Sequence, residues 1–114
     1  MLKKKEKVPR RLVQHIIARG KGVQGAYLTL CVIKNTDAVS KFSFVVSKKV
    51  ASRATDRNTI KRRGYAAVSN VYKDIKPHTA ALFFVKKEVV QASFRLLQKD
   101  VIDLLARSGS LSKN

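Results

Sequence analysis

The sequence predicts one small α+β domain, a two-layer sandwich in which helices pack on a sheet. Its 114 residues are 45% apolar, which is enough for a single modest core. Runs of strand-forming residues alternate with helical patterns in the order α-β-β-α-β-α, and the predicted three-stranded sheet leaves room for a fourth strand. We expect the domain to span 10–107, between a flexible basic N terminus (1–9) and a flexible polar tail (108–114).

The first half of the chain predicts one helix and two strands. Pro9 suits a helix start and Gly20 a helix end, which together place a helix over 10–19. A run rich in strand formers follows over 25–33 and predicts a largely buried strand. A second strand is predicted over 41–47, where aromatic and polar side chains alternate.

The second half predicts two helices and one strand. Thr55 is placed to cap a long helix over 55–73. A nearly continuous apolar run over 79–86 predicts a third strand. Ser93 is placed to cap a final amphipathic helix over 94–107.

The helix over 55–73 is expected to have two different faces. At 100° per residue, one stripe of small and apolar residues should meet the core: Ile60, Gly64, Ala67, Val68 and Val71. The opposite side is expected to carry Asn58, Arg62, Tyr65 and Ser69, with Lys61 on a flank.

Charge is the unusual property of this sequence. The chain has 25 Lys and Arg against 7 Asp and Glu, for a formal net charge of +18. Repulsion among so many like charges works against the compact state, so a polyanionic partner is expected, with nucleic acid ahead of an anionic membrane surface. No stretch resembles a signal peptide or a transmembrane helix, and the single cysteine, Cys31, suits a reducing compartment. We therefore expect a soluble cytoplasmic protein.

The residues that could carry other chemistry do not form a catalytic or metal-binding pattern. His15 and His78 are far apart, without a carboxylate at ligand spacing. Asp100 and Asp103 are expected on the exposed side of the last helix, where they would offset nearby basic residues. We find no set of nucleophile, base and orienting residue, so a self-sufficient protein nuclease is not expected.

The basic residues gather in two segments, and the second contains two short motifs. Residues 1–22 and 41–63 each hold eight Lys or Arg and one acid. Within the second segment, VSKK at 46–49 is followed by a loop and then by RNTIKR at 57–62. This pattern resembles the protein component of bacterial ribonuclease P, in which a VSKK strand end and an RNR helix continuing IKR stand at the same spacing. The flanking elements also match, so the resemblance covers nearly the whole predicted domain.

The resemblance implies a fold and a function. It implies that the long helix lies in a left-handed βαβ crossover, an exception to the usual handedness. It also implies an RNA-binding subunit whose partners are the catalytic RNA of ribonuclease P and the 5′ leader of precursor tRNA, rather than a membrane or a small molecule. In that family the RNA holds the Mg²⁺ ions and cleaves the leader, so no catalytic residue and no bound cofactor are expected in this chain.

The resemblance also implies which residues bind RNA. Carried over by position, the set that docks on the catalytic RNA is Lys48, Lys49, Arg57, Asn58, Lys61 and Arg62, and Arg53 joins it on charge alone. Two positions depart from the family pattern: Thr59 replaces the second arginine of RNR, and Tyr65 replaces an arginine that is common one turn later.

A separate cleft for the leader is implied between the first helix and the sheet. Many members of the family place two aromatic residues four apart on that helix, where bases can stack. The matching residues are the aliphatic Val13 and Ile17, for which plain core contacts are an equal alternative. Tyr27 and Phe44 could supply aromatic surface from the sheet, facing either the cleft or the core.

Three other interpretations of the basic segment remain open. It could be a solvated helix face, as most charge runs are. The composition also fits a small structural RNA-binding protein of ribosomal type. A DNA-binding helix is a weaker alternative, because no second short helix precedes the long helix as a helix-turn-helix motif requires.

Overall fold

The computed structural model describes residues 2–112 and contains three α-helices and four strands. The helices are α1 (Arg10–Arg19), α2 (Ala54–Ser69) and α3 (Phe94–Arg107). The strands are β1 (Lys21–Gln24), β2 (Leu28–Lys34), β3 (Lys41–Val45) and β4 (Thr79–Val85). Short 3₁₀ turns occupy Lys4–Glu6, Tyr72–Asp74 and Lys87–Gln91.

The four strands form one mixed sheet in the order β1-β2-β4-β3. Strand β2 pairs antiparallel with both β1 and β4, whereas β3 pairs parallel with β4. Because β3 and β4 are adjacent, parallel and joined through α2, they form a βαβ crossover. The predicted α+β class is confirmed, and the fourth strand is the glycine-rich segment after α1.

Helices cover both faces of the sheet. The larger core lies between the sheet and the pair α2 and α3, and it contains Leu28, Leu30, Phe42 and Phe83. The smaller core lies on the opposite face, where Ile16 of α1 packs with Ala80 and Leu82. The predicted two-layer arrangement therefore holds for the sheet with α2 and α3 on one face, and α1 covers the opposite face.

The predicted core stripe of α2 is confirmed. Gly64, Ala67 and Val68 are buried, and Ile60 and Val71 pack against the same core. The absence of a side chain at Gly64 matters, because a Cβ atom there would lie 2.6 Å from the Phe44 ring. Helix α2 ends at Ser69 rather than at residue 73.

Both ends of α2 differ from the sequence prediction, by one residue at the start and by four at the end. The helix begins at Ala54 with Arg53 in the N-cap position, so the predicted cap at Thr55 is wrong. Thr55 is already helical, and its carbonyl accepts a hydrogen bond from the Thr59 hydroxyl at 3.0 Å. At the other end, Val71 has φ −122° and ψ 9°, which is not helical backbone.

Helix α3 confirms one sequence prediction and contradicts another. The Ser93 hydroxyl accepts a hydrogen bond from the Leu96 N–H at 3.2 Å, so Ser93 caps the helix as predicted. The expectation that Asp100 is exposed is wrong, because Asp100 is only 7% exposed. Its carboxylate accepts three backbone N–H groups at 3.0–3.1 Å, those of Ala26, Tyr27 and Leu28. The turn before β2 therefore supplies the partners that allow a carboxylate to be buried on the inner flank of α3.

Both ends of the described chain contact the domain. Leu2 is 5% exposed within the larger core, and Val8 N–H donates to the Phe42 carbonyl at 3.2 Å. At the C-terminal end, Ser110 is buried and Leu111 forms a bridge with Ile75. The packed unit thus extends beyond 10–107 in both directions, and Met1, Lys113 and Asn114 of the two expected flexible ends lie outside the described residues. Within 2–112, no helix is both long and apolar enough to cross a lipid bilayer.

Candidate nucleic-acid interface

The loop between β3 and α2 presents two lysines to solvent. Val46 is buried and anchors the end of β3, and the chain then turns over Ser47, whose carbonyl accepts the N–H groups of Val50 and Ala51 at 3.1 and 3.3 Å. Lys48 and Lys49 sit in this turn and are exposed. Val46 thus points into the core, and the two lysines follow it in an exposed turn.

Arg57 fastens this loop to the first turn of α2. Its Nη1 atom donates to the carbonyl of Ala51 at 3.0 Å and to that of Ser52 at 2.8 Å. Arg53, at the N-cap position, makes no side-chain hydrogen bond to the first helical turn. The N-terminal N–H groups of α2 therefore lie beside four basic side chains of the loop and first turn, an arrangement that suits a phosphate group.

The exposed side of α2 continues this basic surface. Asn58 and Arg62 are one turn apart on the helix and exposed, and Lys61 is half-buried beside them. We call the whole set the α2 surface, and it comprises Lys48, Lys49, Arg53, Arg57, Asn58, Lys61 and Arg62. All seven residues that the sequence predicted for RNA docking lie in the β3–α2 loop or the first three turns of α2, and none of them is buried.

No acidic side chain forms an ion pair with the α2 surface within 2–112. The ion pairs of the described residues join Lys41 to Asp37 at 3.3 Å and Arg107 to Asp103 at 3.0 Å, and neither includes a residue of α2. Asp56, the acid of the first turn, is not in an ion pair there. The surface is thus available for anions, and the phosphates of a nucleic acid would release their counterions on binding it.

Tyr65 does not project into solvent as the sequence predicted. Its ring packs edge-on against Phe44, with ring centroids 5.4 Å apart and planes at 87°. The ammonium group of Lys7 lies 4.8 Å from the centroid of the Tyr65 ring, a cation–π contact. A cation from the N-terminal segment therefore lies next to the position where an arginine is common in the family that this chain resembles.

The four residues expected in a leader cleft do not come together. Phe44 is 4% exposed and stacks on Phe83 with centroids 4.8 Å apart, inside the larger core. Tyr27 packs against the same core, whereas Val13 packs against the smaller core on the opposite face. Ile17 is 48% exposed on α1. Phe44 and Tyr27 therefore do not share a cleft with Val13 and Ile17.

The aromatic residue on the α1 face of the sheet is Phe84, which the sequence analysis missed. Phe84 is half-buried and packs in the same small cluster as Val13. Its partner across the β3–β4 pairing is Val45, which is 38% exposed. The alternation of β3, which points Phe42 and Phe44 to one face and Val45 to the other, would have identified this surface. We call Val13, Ile17, Val45 and Phe84 the α1-side surface.

The remaining reactive side chains have structural partners. The Cys31 thiol donates to the Ile16 carbonyl at 3.3 Å, and burial raises the pKa of this thiol. His78 Nδ1 lies 3.0 Å from the Asn35 carbonyl, and His15 is exposed on α1. Among residues 2–112, no three His, Cys, Asp or Glu side chains cluster as metal ligands would.

Comparisons with known proteins point to one family. A family model described as Ribonuclease P matches residues 2–109. The chain is 26% identical over 115 residues to the ribonuclease P protein component of Syntrophomonas wolfei, covering 100% of this chain and 96% of that protein. It is 29% identical over 106 residues to the component from Clostridioides difficile, covering 92% and 89% of the two chains.

Solved structures show the same fold. The RNase P protein from Thermotoga maritima superposes with a TM-score of 0.79 at 24% identity, covering 90% of this chain and 96% of that one. An RNase P protein mutant from Staphylococcus aureus superposes with a TM-score of 0.86 at 17% identity, covering 95% and 92%. The shared architecture therefore includes the sheet, the crossover and the three helices.

Proposed function

Because this chain belongs to the ribonuclease P protein family, as an RNA-binding protein of tRNA 5′ processing, we propose that its RNA partner on the α2 surface is the catalytic RNA of ribonuclease P. The observation that carries this proposal is the α2 surface, which forms no ion pair among the described residues and combines loop lysines, helix arginines and an asparagine near a helix N terminus. The lysine and arginine side chains carry the positive charge that attracts phosphates. The Asn58 amide can both donate and accept a hydrogen bond, which suits a ribose 2′-hydroxyl.

We propose that the 5′ leader of precursor tRNA contacts the α1-side surface. Phe84 offers the aromatic face and Val13, Ile17 and Val45 offer aliphatic contacts, so this surface supports the packing of unstacked bases with little sequence preference. The basic residues Arg10 and Arg11 at the start of α1 are exposed and lie at the same end of that helix as the N-terminal lysines. They would attract the phosphates of the leader.

We propose further that cleavage is carried out by the RNA and that the protein acts through charge. Mg²⁺ binds proteins through carboxylates, and none of the residues named in the α2 surface or the α1-side surface is acidic, which supports a role through charge. The protein instead lowers the repulsion between two polyanions, the catalytic RNA and precursor tRNA, in the cytoplasm. Since Mg²⁺ screens the same repulsion, the protein should lower the Mg²⁺ concentration that cleavage requires.

The test is cleavage of precursor tRNA by a bacterial ribonuclease P RNA from the same source, at low and high Mg²⁺, with and without this protein. We expect correct 5′ cleavage at low Mg²⁺ only when the protein is present. The Arg62→Ala variant should raise the Mg²⁺ requirement, whereas Arg95→Ala, which removes the same charge from the exposed side of α3, should not. Equal rates with and without protein at every Mg²⁺ concentration would overturn the proposal, and stable cosedimentation with ribosomal subunits would then indicate a structural protein of ribosomal type.

A further inference from the structure

A second basic site lies at the end of the sheet remote from the start of α2. An open groove of about 310 Å³ is present there, and its basic residues are Lys21, Lys34, Lys76 and His78. Helix α2 begins beyond the C-terminal end of β3, whereas this groove lies where the parallel neighbour β4 begins, at the pair Lys34 and Thr79. The two sites are thus separated by the length of β4, whose seven residues at about 3.3 Å each span roughly 20 Å.

The sheet register places two of the lysines on the same face. Lys21 of β1 is opposite Val32 of β2, and Lys34 stands two residues further along β2. Because side chains two apart on a strand share a face, Lys21 and Lys34 are diagonal neighbours about 7–8 Å apart at the backbone. Both are exposed, and neither takes part in an ion pair of the described residues.

The third lysine is held beside the C-terminal segment. The Lys76 N–H donates to the Ser110 carbonyl at 2.8 Å, and Ser108, Gly109 and Ser110 form one wall of the groove. No acidic residue lines the groove among the described residues. Three lysines therefore line one groove without an acidic residue among its lining, an arrangement whose mutual repulsion a bound anion would relieve.

The other wall has a strained and well-anchored backbone. His78 has φ 68°, the left-handed region that residues other than glycine seldom adopt. Its N–H donates to the Ala38 carbonyl at 3.1 Å and its carbonyl accepts the Asn35 N–H at 2.6 Å, so the surrounding loop holds this conformation. Strain that neighbouring contacts maintain is concentrated at functional sites, and here it fixes the shape of the groove.

We propose that this groove binds the phosphodiester backbone of a second RNA segment, distinct from the segment on the α2 surface. The proposal rests on the proposed function for the identity of the polyanion as RNA, and it adds a third RNA contact to those of the α2 surface and the α1-side surface. The separation of roughly 20 Å exceeds the Debye length of about 8 Å at physiological salt, so the charges of the α2 surface do not serve the groove. We call this site the sheet-end groove.

The test compares double variants of the full chain by RNA binding at several salt concentrations. The groove variant is Lys34→Gln with Lys76→Gln, and its matched control is Arg95→Gln with Lys99→Gln, which removes the same charge from the exposed side of α3. The probes are ribonuclease P RNA and precursor tRNA, measured separately. All four positions are exposed, and circular dichroism would verify that each variant is folded.

We expect the groove variant to bind at least one of the two RNAs several-fold more weakly than the control. The slope of log affinity against log salt should fall by about 1–2, since each phosphate contact contributes about 0.7–0.9. The RNA whose binding is weakened in the groove variant is the one that contacts the groove. A groove variant that matches its control with both RNAs would overturn this inference, while loss of binding in Arg62→Ala would still support the proposed function. If Arg62→Ala also matched its control, the proposed function would fail as well.

Discussion

Replacing the buried carboxylate of Asp100 is the sharpest stability test that the structure offers. In Asp100→Asn the side chain keeps its shape, but its charge is lost and an NH₂ group replaces one of the two oxygens. Oδ2 accepts the N–H groups of Tyr27 and Leu28, and Oδ1 accepts that of Ala26, so the amide leaves at least one donor facing another donor. The Leu28 contact is buried, which leaves no water to replace a lost partner.

The magnitude follows from these contacts. A hydrogen bond to a charged group contributes about 1.5–3 kcal/mol, and an unpaired buried donor costs about 1–3 kcal/mol. We therefore expect Asp100→Asn to lower the free energy of unfolding by about 2–4 kcal/mol, a large part of the roughly 5–15 kcal/mol typical of a domain. At about 4 °C per kcal/mol, the melting temperature should fall by roughly 8–16 °C.

The assay is urea unfolding followed by circular dichroism, with Asp103→Asn as the control. Asp103 lies one turn along the same helix, is half-exposed and pairs with Arg107 at 3.0 Å. An exposed ion pair contributes at most about 1 kcal/mol, so the control should unfold nearly as the wild type does. If the two variants differed by less than about 0.5 kcal/mol, comparable to ordinary surface substitutions, the three hydrogen bonds would not stabilise the fold and the reasoning would be refuted.

Four further predictions concern the α2 surface, the larger core and the single thiol. Arg62→Ala should weaken RNA binding and reduce the salt slope by about 1 without changing the melting temperature. Arg57→Ala should weaken RNA binding and also lower the melting temperature, because the Arg57 guanidinium donates to two loop carbonyls. Equal melting temperatures in the Arg57 and Arg62 variants would contradict this structural role. Phe44→Ala should lower the free energy of unfolding by about 3–5 kcal/mol, as for a buried core ring, and a folded variant of unchanged stability would instead place Phe44 at the surface. Burial raises the pKa of the Cys31 thiol, which disfavours the thiolate, so iodoacetamide should react with the native protein at pH 7.5 more slowly than with the urea-unfolded chain. Equal rates in the two states would show that Cys31 is not protected.

Local patterns were enough to predict most of the fold. The apolar stripe of α2, the alternation of β3 and the Ser93 cap each depend on neighbours in the chain, and each is present in the structure. The segment that became β1 was not predicted as a strand, because Gly22 lowers its strand propensity and its side chains are mostly exposed. It forms a strand because β2 offers an open edge for pairing.

The residues of the α2 surface could be predicted because they lie within one short segment of the sequence. The loop and the first two turns of a helix keep basic side chains together whatever the rest of the chain does, and net charge alone predicts a polyanionic partner. The α1-side surface could not be predicted in the same way. Whether Phe44 or Phe84 faces α1 depends on which side of the sheet each helix covers, and that is set by the packing of the whole chain.

The sequence by itself determined the fold class and the position of the basic segment, because these depend on composition and periodicity, and its VSKK and RNTIKR motifs carried the family resemblance. Only the tertiary structure decided the environment of Asp100, the packing of Tyr65 against Phe44 and the presence of Lys21, Lys34 and Lys76 in one groove. The physical reason is that each of these joins segments far apart in the chain. A carboxylate is buried only where a distant turn supplies three donors, and like charges meet only where the register of the sheet brings their strands together.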